Sequence, residues 1–578
     1  MNPRVRLVVP AALASLFAFT ALPAAGATQP AKLGLGNINH IVVIYQENHS
    51  FDNLYGSWER VNGLSHASAA NTLQVNQGGT AYTCLKQNDV NLTSPPQPVT
   101  CTDTTTGTPF DSNFPNRPFN IEDYISSTDT TCPPPGVFAA HGIPKGSGLP
   151  GGCTEDLVHR YYQEQYQLNG GLQNRYVTGS DAIGLSMGVY QTQNLPIYTY
   201  LHQPGHPKYA ISDKFFQAAF GGSFLNHQWL AAAATPFFAG AANDGSALTS
   251  THPDMHSVVD ANGMPNNYPL YASPLGANGT PGGPRDNQLT ASCSPPAGRP
   301  ATPAGVVCGD YAVNTTQPWY QPYAPGTAEG RRLPPLSSNN IGDELSASAV
   351  DWAWYAGGWD NAAGNTSSPY YTNGTGPTCS DLNTISGATY PNCPDKLFQF
   401  HHQPFNYFAN YAPGTQARTD HLRDEKDFQH LASSSTATQC NLKPVSFVKP
   451  IGAENEHPGY TSESAGGRHL VDLIQAVEGS ACKNDTLVIS TYDEFGGQWD
   501  HVAPPGQGAS DGVADQWGPG TRIPALIVSP FLQGDFVVDH VPHDTTSILA
   551  TIEHRFGLTP LTTRDAAVRD LSSVFKAQ

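Results

Sequence analysis

Two short stretches of this 578-residue chain place acid and amide side chains directly after apolar runs. The first run is His40-Ile41-Val42-Val43-Ile44-Tyr45, followed by Gln46-Glu47-Asn48-His49. The second is Thr486 to Tyr492, followed by Asp493-Glu494-Phe495-Gly496-Gly497. A buried strand that ends in Glu-Asn or Asp-Glu delivers oxygen atoms to the carboxyl edge of a sheet, where open α/β sheets bind ligands. Glu47, Asn48, Asp493 and Glu494 together make an all-oxygen set suited to one divalent metal ion. A single acidic pair in a solvated turn would mean little, and the repeated layout gives it weight. Spacing alone leaves open whether the two strands are neighbours.

A nucleophile candidate is Ser223, in Phe220-Gly221-Gly222-Ser223-Phe224-Leu225. The glycines permit a tight turn, and Leu225 to Ala234 reads as a helix, so Ser223 falls near a helix N-terminus. Amide donors and the helix dipole favour an oxyanion or a bound phosphate there. A plain capping serine would leave the same trace. Gly184-Leu185-Ser186-Met187-Gly188 matches the G-x-S-x-G elbow of serine hydrolases, which needs a preceding buried strand and a following helix. Gly179, Ser180 and Asp181 make a poor strand, and Pro196 soon interrupts the segment after the motif, so Ser186 ranks below Ser223. Among 20 histidines, His159, His401, His402 and His457 stand in informative settings. A lone histidine is usually structural, but several protonated ones can grip a phosphate, and acid pH favours that state.

These groups need elements to hold them. Thr154 reads as the N-cap of a helix through Leu168, with His159 on it. Leu470, Leu473, Ile474 and Val477 keep helical spacing up to Gly479. Ile523 to Ser529 reads as a strand, and Asp544 as the cap of a helix ending at Gly557. Residues 236 to about 395 are rich in Gly, Pro, Asn, Ser and Thr and read as loop-rich insertion, as does the stretch from about 66 to 153. Alternating strands and helices predict an α/β fold, with a mostly parallel central sheet and helices on both faces. The reading is one domain from 28 to 578.

Arg4, Arg6, the apolar run Leu7 to Leu22 and Ala25-Gly26-Ala27 read as a signal peptide over residues 1–27, implying an exported protein. Its removal takes away two arginines and no acids, moving the net charge from −19 to −21. Such a surface excludes nucleic acid as a partner, since that needs basic groups to displace counterions. Stable membrane insertion is not expected either, because no later segment has the length of a membrane span. The ten cysteines of an exported chain suggest disulfides between near neighbours: Cys84/Cys101, Cys132/Cys153, Cys293/Cys308, Cys379/Cys393 and Cys440/Cys482.

The segments Ile41 to Gly56, Asp213 to Leu230, Phe398 to Tyr411, His457 to Tyr460 and Thr491 to Pro505 resemble the bacterial phosphoesterase family. That family contains secreted acid phosphatases and phospholipases C and belongs to the alkaline-phosphatase-like superfamily. Gly222-Ser223, in place of the Gly-Pro-Thr of phospholipases C, and Phe400-His401-His402-Gln403-Pro404 look more like the phosphatase branch. The resemblance implies one divalent ion, of unassigned identity among Ca, Mg, Mn, Fe and Zn, held by Glu47, Asn48, Ser223, Asp493 and Glu494. It also implies that His159, His402 and His457 hold the phosphate, with His401 beside them and Asn48 contacting the substrate. The activity then expected is exported acid phosphatase, cleaving small phosphomonoesters through a phosphoserine at Ser223. Phospholipase C chemistry on the same fold is the first rival, and a carboxylesterase using Ser186 is the rival from another class.

Overall fold

The computed structural model describes residue 1 and residues 34–86, 98–106, 109–124, 154–181, 183–241, 255–265, 284–295, 300–374, 376–379, 381 and 384–577. Its centre is an eight-stranded sheet. In chain order the strands are β1 (His40–Gln46), β2 (Tyr209–Ser212), β3 (Trp352–Ala356), β4 (Leu422–Asp424), β5 (Val445–Lys449), β6 (Thr486–Tyr492), β7 (Ala525–Val528) and β8 (Phe536–Asp539). They lie side by side as β4-β3-β5-β1-β6-β7-β2-β8. All run parallel except β7, which opposes its neighbours β6 and β2. The sheet is thus the mostly parallel one expected of an alkaline-phosphatase-like chain. β1 and β6 sit near its middle and are buried almost throughout. A strand covered on both faces has no polar side, which is why each reads as an unbroken apolar run.

The helices that matter for the site are α1 (Tyr161–Leu168), α2 (Ser223–Ala232), α3 (Glu425–Ser433), α4 (Glu463–Glu478), α5 (Thr546–Phe556) and α6 (Thr563–Ala567). α4 buries Leu470, Leu473, Ile474 and Val477, starts on a Ser462 cap and stops at Gly479, as its spacing predicts. α5 begins one residue later than its acid suggests. Thr545 is the N-cap, and Asp544 reaches forward to accept the Thr546 amide at 2.7 Å.

Four expectations need correction. The helix predicted from Thr154 starts only at Tyr161, because the Val158 amide is taken by Asp181 Oδ1 at 2.9 Å and the segment stays extended. His159 therefore precedes the helix. The helix predicted over Leu225 to Ala234 runs from Ser223 to Ala232, where Ala233 turns left-handed. The strand predicted over Ile523 to Ser529 shortens to β7. The stretch from 236 to 395, read as loop, contributes β3, whose Trp-Ala-Trp-Tyr-Ala run is wholly buried between β4 and β5.

Cys84–Cys101, Cys293–Cys308, Cys379–Cys393 and Cys440–Cys482 are bonded as expected. The Cys132/Cys153 pair and the leader over residues 1–27 fall outside the described residues, Met1 apart. No helix among the described residues is long and apolar enough to cross a membrane.

Where α5 meets α6, Glu553 is buried beside Asp565. Burial foremost, and the neighbouring Asp565 charge, push its carboxyl up to about 9. The folded state thus holds this proton more tightly than the unfolded chain, so the stability it confers is full below about pH 4.5 and is lost as pH rises towards 9. Glu553→Gln keeps the shape of the side chain and removes the titrating proton. Its melting temperature is expected to match wild type at pH 5 and exceed it by roughly 2 °C at pH 8. A deficit at pH 8 in calorimetry would show that the retained proton is not what Glu553 contributes.

Candidate active site

The pairing of β1 with β6 makes the site. Gln46 stands level with Tyr492, so Glu47-Asn48 and Asp493-Glu494 leave the sheet side by side. The Asp493 amide still bonds Gln46 O at 3.0 Å, and Asp493 Oδ1 accepts the amides of Asn48 and Glu494 at 3.2 and 2.9 Å. Asn48 turns left-handed at φ 62, a conformation that asparagine adopts more readily than most residues. Gly496 lies over it at φ 62, and a Cβ there would come within 2.2 Å of the Asn48 carbonyl oxygen. Only glycine lets the second loop close on the first.

Ser223 is the first residue of α2, with Gly222 as N-cap. The preceding turn is held from α1. Glu164 Oε2 accepts the Gly221 amide at 2.5 Å, and its Oε1 accepts the Thr521 amide at 2.7 Å. Gly221 sits at φ 94 and packs so tightly that a Cβ would lie 2.7 Å from the Tyr161 nitrogen. The result aims Ser223 Oγ at three oxygens: Glu47 Oε2 at 3.3 Å, Glu494 Oε1 at 3.4 Å and Asn48 Oδ1 at 3.5 Å.

One hydroxyl proton cannot serve three acceptors, and all three distances are long for an O–H···O bond. Oxygens that share a hard cation at 2.0–2.6 Å stand about 2.8–3.7 Å apart, which is the spacing seen. Glu47, Asp493 and Glu494 are fully buried, and Asp493 Oδ2 has no hydrogen-bond donor. Burial first and the Asp493 charge second push Glu47 and Glu494 well above the usual carboxylate range. Burial likewise raises Asp493, against the pull of Lys449. Buried acids packed this closely are stabilised by a cation, so the donor set fits a divalent metal ion.

The histidines surround this lobe. His457 Nε2 lies 2.9 Å from Asn48 Nδ2, and its Nδ1 faces the Pro458 carbonyl at 2.6 Å. His159 Nε2 is 3.5 Å from both Glu494 Oε1 and Asn48 Nδ2, while its Nδ1 faces the Leu157 carbonyl at 2.5 Å. A carbonyl can only accept, so in both rings Nδ1 carries the proton and Nε2 presents a lone pair to the site. His402 Nε2 lies 3.2 Å from Glu47 Oε1, and half-buried His401 sits beside it. Burial lowers His159 to about 4 and takes His402 and His457 well below the usual imidazole range. The cationic histidines expected from the sequence are therefore neutral in the resting site.

Two members went unread in the sequence. Lys449 ends β5 and pairs with Glu47 Oε1, also donating to Tyr45 O at 3.0 Å. It closes a buried apolar run just as Glu47 and Asp493 follow theirs, and that parallel was the available signal. His227, one helical turn after Ser223, bonds the Ser223 carbonyl at 2.8 Å and stacks on His402 with centroids 4.8 Å apart. Ser186 lies outside this group, fully buried on the short 3-10 helix Ile183–Met187. The turn leads into the strand Gly188–Val189, so the strand–turn–helix context of a nucleophile elbow is missing. A cavity of about 560 Å³ opens onto Ser223, His159, His402 and His457, and Lys396, Phe398 and Phe400 stand on its wall.

Known proteins resemble parts of this chain. It is 30% identical over 201 residues to non-specific phospholipase C6 of Arabidopsis thaliana, covering 31% of this chain and 36% of that protein. It is 34% identical over 155 residues to phospholipase C B of Mycobacterium tuberculosis, covering 23% and 29%. With the non-hemolytic phospholipase C of Burkholderia pseudomallei it shares 28% identity over 204 residues, covering 30% and 29%. The alignments thus span only about a third of these relatives' lengths. The profile of the Phosphoesterase family extends much further, matching residues 38–135 and 144–559, and it takes in every residue of the site above. On that match, the chain belongs to the Phosphoesterase family.

Proposed function

We propose that this chain is a metal-assisted phosphoric ester hydrolase whose nucleophile is Ser223. The observation that carries the reading is the convergence of Glu47, Asn48 and Glu494 oxygens on Ser223 Oγ. Held by Glu47, Asn48, Asp493 and Glu494, a divalent ion would lower the serine pKa and neutralise phosphoryl oxygens. The chain's own groups do the rest. Ser223 Oγ attacks phosphorus while a neutral histidine, His159 or His457, takes its proton at Nε2. The P–O bond to the leaving group breaks, and the same proton passes to the departing oxygen. Water then attacks the phosphoserine and gives a proton to the histidine, the P–O bond to Ser223 breaks, and the histidine returns that proton to the departing Oγ. Amides at the N-terminus of the ten-residue α2 and the Asn48 side chain meet the charge on the equatorial oxygens. Because the resting histidines are neutral, a bias towards acid pH would have to come from protons taken up with the phosphate.

The names of the relatives favour phosphodiester cleavage of the phospholipase C type, and the cavity has room for substituents on both sides of a phosphate. Ser223 in place of threonine, and the His401-His402 segment, favour monoesters as the second reading. Nitrophenylphosphorylcholine and nitrophenyl phosphate, assayed with the same metal-loaded enzyme, separate them. The diester is expected to show the higher kcat/KM. A tenfold preference for the monoester would assign the enzyme to the phosphatases. The four disulfides among the described residues support an exported enzyme in either case.

A further inference from the structure

Glu47 faces two ways. Its Oε2 belongs to the Ser223 lobe, whereas Oε1 meets the Lys449 ammonium and lies 3.2 Å from His402 Nε2. Asp493 lies beside it. Its Oδ1 accepts two backbone amides, and its donorless Oδ2 lies 3.7 Å from His227 Nδ1. Glu47, Asp493, His227 and His402 each offer one ligand atom, all four within 4.8 Å of one another, and all four residues are buried. Two carboxylates and two imidazoles are a sufficient ligand set for a borderline divalent metal. His227 Nε2 is buried with no hydrogen-bond partner, an expense that a purely structural histidine normally avoids.

Lys449 arrives at this quartet from β5, the neighbour of β1 on the side away from β6. Its side chain is buried, and its position is fixed by Tyr45 O as well as by Glu47. Burial is the largest influence on each of the four groups, and the Lys449 charge bears on all of them. One ammonium thus meets a carboxylate of a four-residue group that could hold a metal ion, and that carboxylate also belongs to the Ser223 lobe.

We propose that Lys449 is a built-in cation occupying the place of a second metal ion, so that the centre accepts one divalent ion and excludes another. This rests on the Ser223 lobe being a metal site. Two-metal phosphoesterase centres hold their ions about 3.5–4 Å apart, close enough for one carboxylate to face both. Here Glu47 has such a position, with one oxygen toward Ser223 and the other on Lys449, and the chain supplies the second positive charge itself.

Removing the charge should open the quartet. Full-length wild type, Lys449→Met and the double variant Lys449→Met/His227→Ala are stripped with chelator, then loaded in turn with Mn²⁺ and Zn²⁺. Bound metal is counted by elemental analysis, and the Mn²⁺ forms are examined by electron paramagnetic resonance. Wild type should hold about one ion, Lys449→Met about two with an exchange-coupled Mn²⁺ signal, and the double variant about one again. A folded Lys449→Met protein that still holds one uncoupled ion overturns the proposal. So does a coupled pair in wild type, a measurement that stands even if the variants fail to fold. Wild type that binds neither ion would overturn the metal reading of the Ser223 lobe and this inference with it.

Discussion

Ser223→Ala is expected to lower kcat on phosphate esters by about 10⁴- to 10⁶-fold, the usual cost of deleting a covalent nucleophile. The reason is geometric. Oγ is the atom on which Glu47, Asn48 and Glu494 converge, and alanine puts no atom there. Stability should hardly change, because Gly222, not Ser223, is the N-cap of α2 and alanine is a good helix former. The melting temperature is therefore expected within about 2 °C of wild type. Acid quenching during turnover of a ³²P-labelled substrate should leave label on wild type and none on the variant. Ser186→Ala should keep its turnover, since Ser186 lies apart from the phosphate lobe. Full activity in Ser223→Ala would remove the central assignment, and loss of activity confined to Ser186→Ala would transfer it to the elbow motif.

Chelation is expected to abolish activity and to lower the melting temperature by about 4 °C. An ion bound a thousandfold above its Kd stabilises the fold by about 4 kcal/mol, and a chain of this size loses few degrees per kcal/mol. The structural reason is the crowding of Glu47, Asp493 and Glu494, three buried carboxyls with the Lys449 ammonium as their buried counter-charge. Glu47 and Glu494 are raised by burial and then by Asp493, so in the stripped protein their contribution is full at low pH and is lost as pH rises. Metal must displace protons from these ligands, so the chelator-induced drop should be larger at pH 8 than at pH 5.5. Asp493→Asn should reduce activity by about 10³-fold or more and make the melting temperature insensitive to chelator. An unchanged melting temperature and unchanged activity in protein shown by elemental analysis to be metal-free would remove the metal from the mechanism.

Much of the scaffold was legible because it is written locally. β1 and β6 announce themselves as apolar runs, since strands covered on both faces need apolar residues at every position. α4 announces itself by its period and its terminal glycine. Near-neighbour cysteines in loop-rich segments close short loops, as three of the four pairs among the described residues do, while Cys440–Cys482 spans 42 residues that include β5 and α4. Other elements were hidden for equally physical reasons. β3 is a five-residue aromatic strand set in Gly- and Pro-rich sequence, too short for its period to stand out. His159 was read onto a helix because Thr154 is a good cap, yet Asp181, distant in sequence, claims the Val158 amide and delays the helix.

The residue types at the strand ends were settled by the sequence alone, for Glu47-Asn48 and Asp493-Glu494 follow their buried runs whatever the fold does with them. The turn before Ser223 was legible too, because paired glycines ahead of a helix-forming run favour a tight turn, although a plain capping serine leaves the same trace. Only the tertiary structure decided that β1 and β6 are neighbours in register, and that Lys449 from β5 and His227 from α2 close on the same carboxylates. Strand order and side-chain convergence depend on which buried faces pack together over hundreds of residues. No local preference encodes that choice, so chemistry shared between distant segments becomes visible only after the chain has folded.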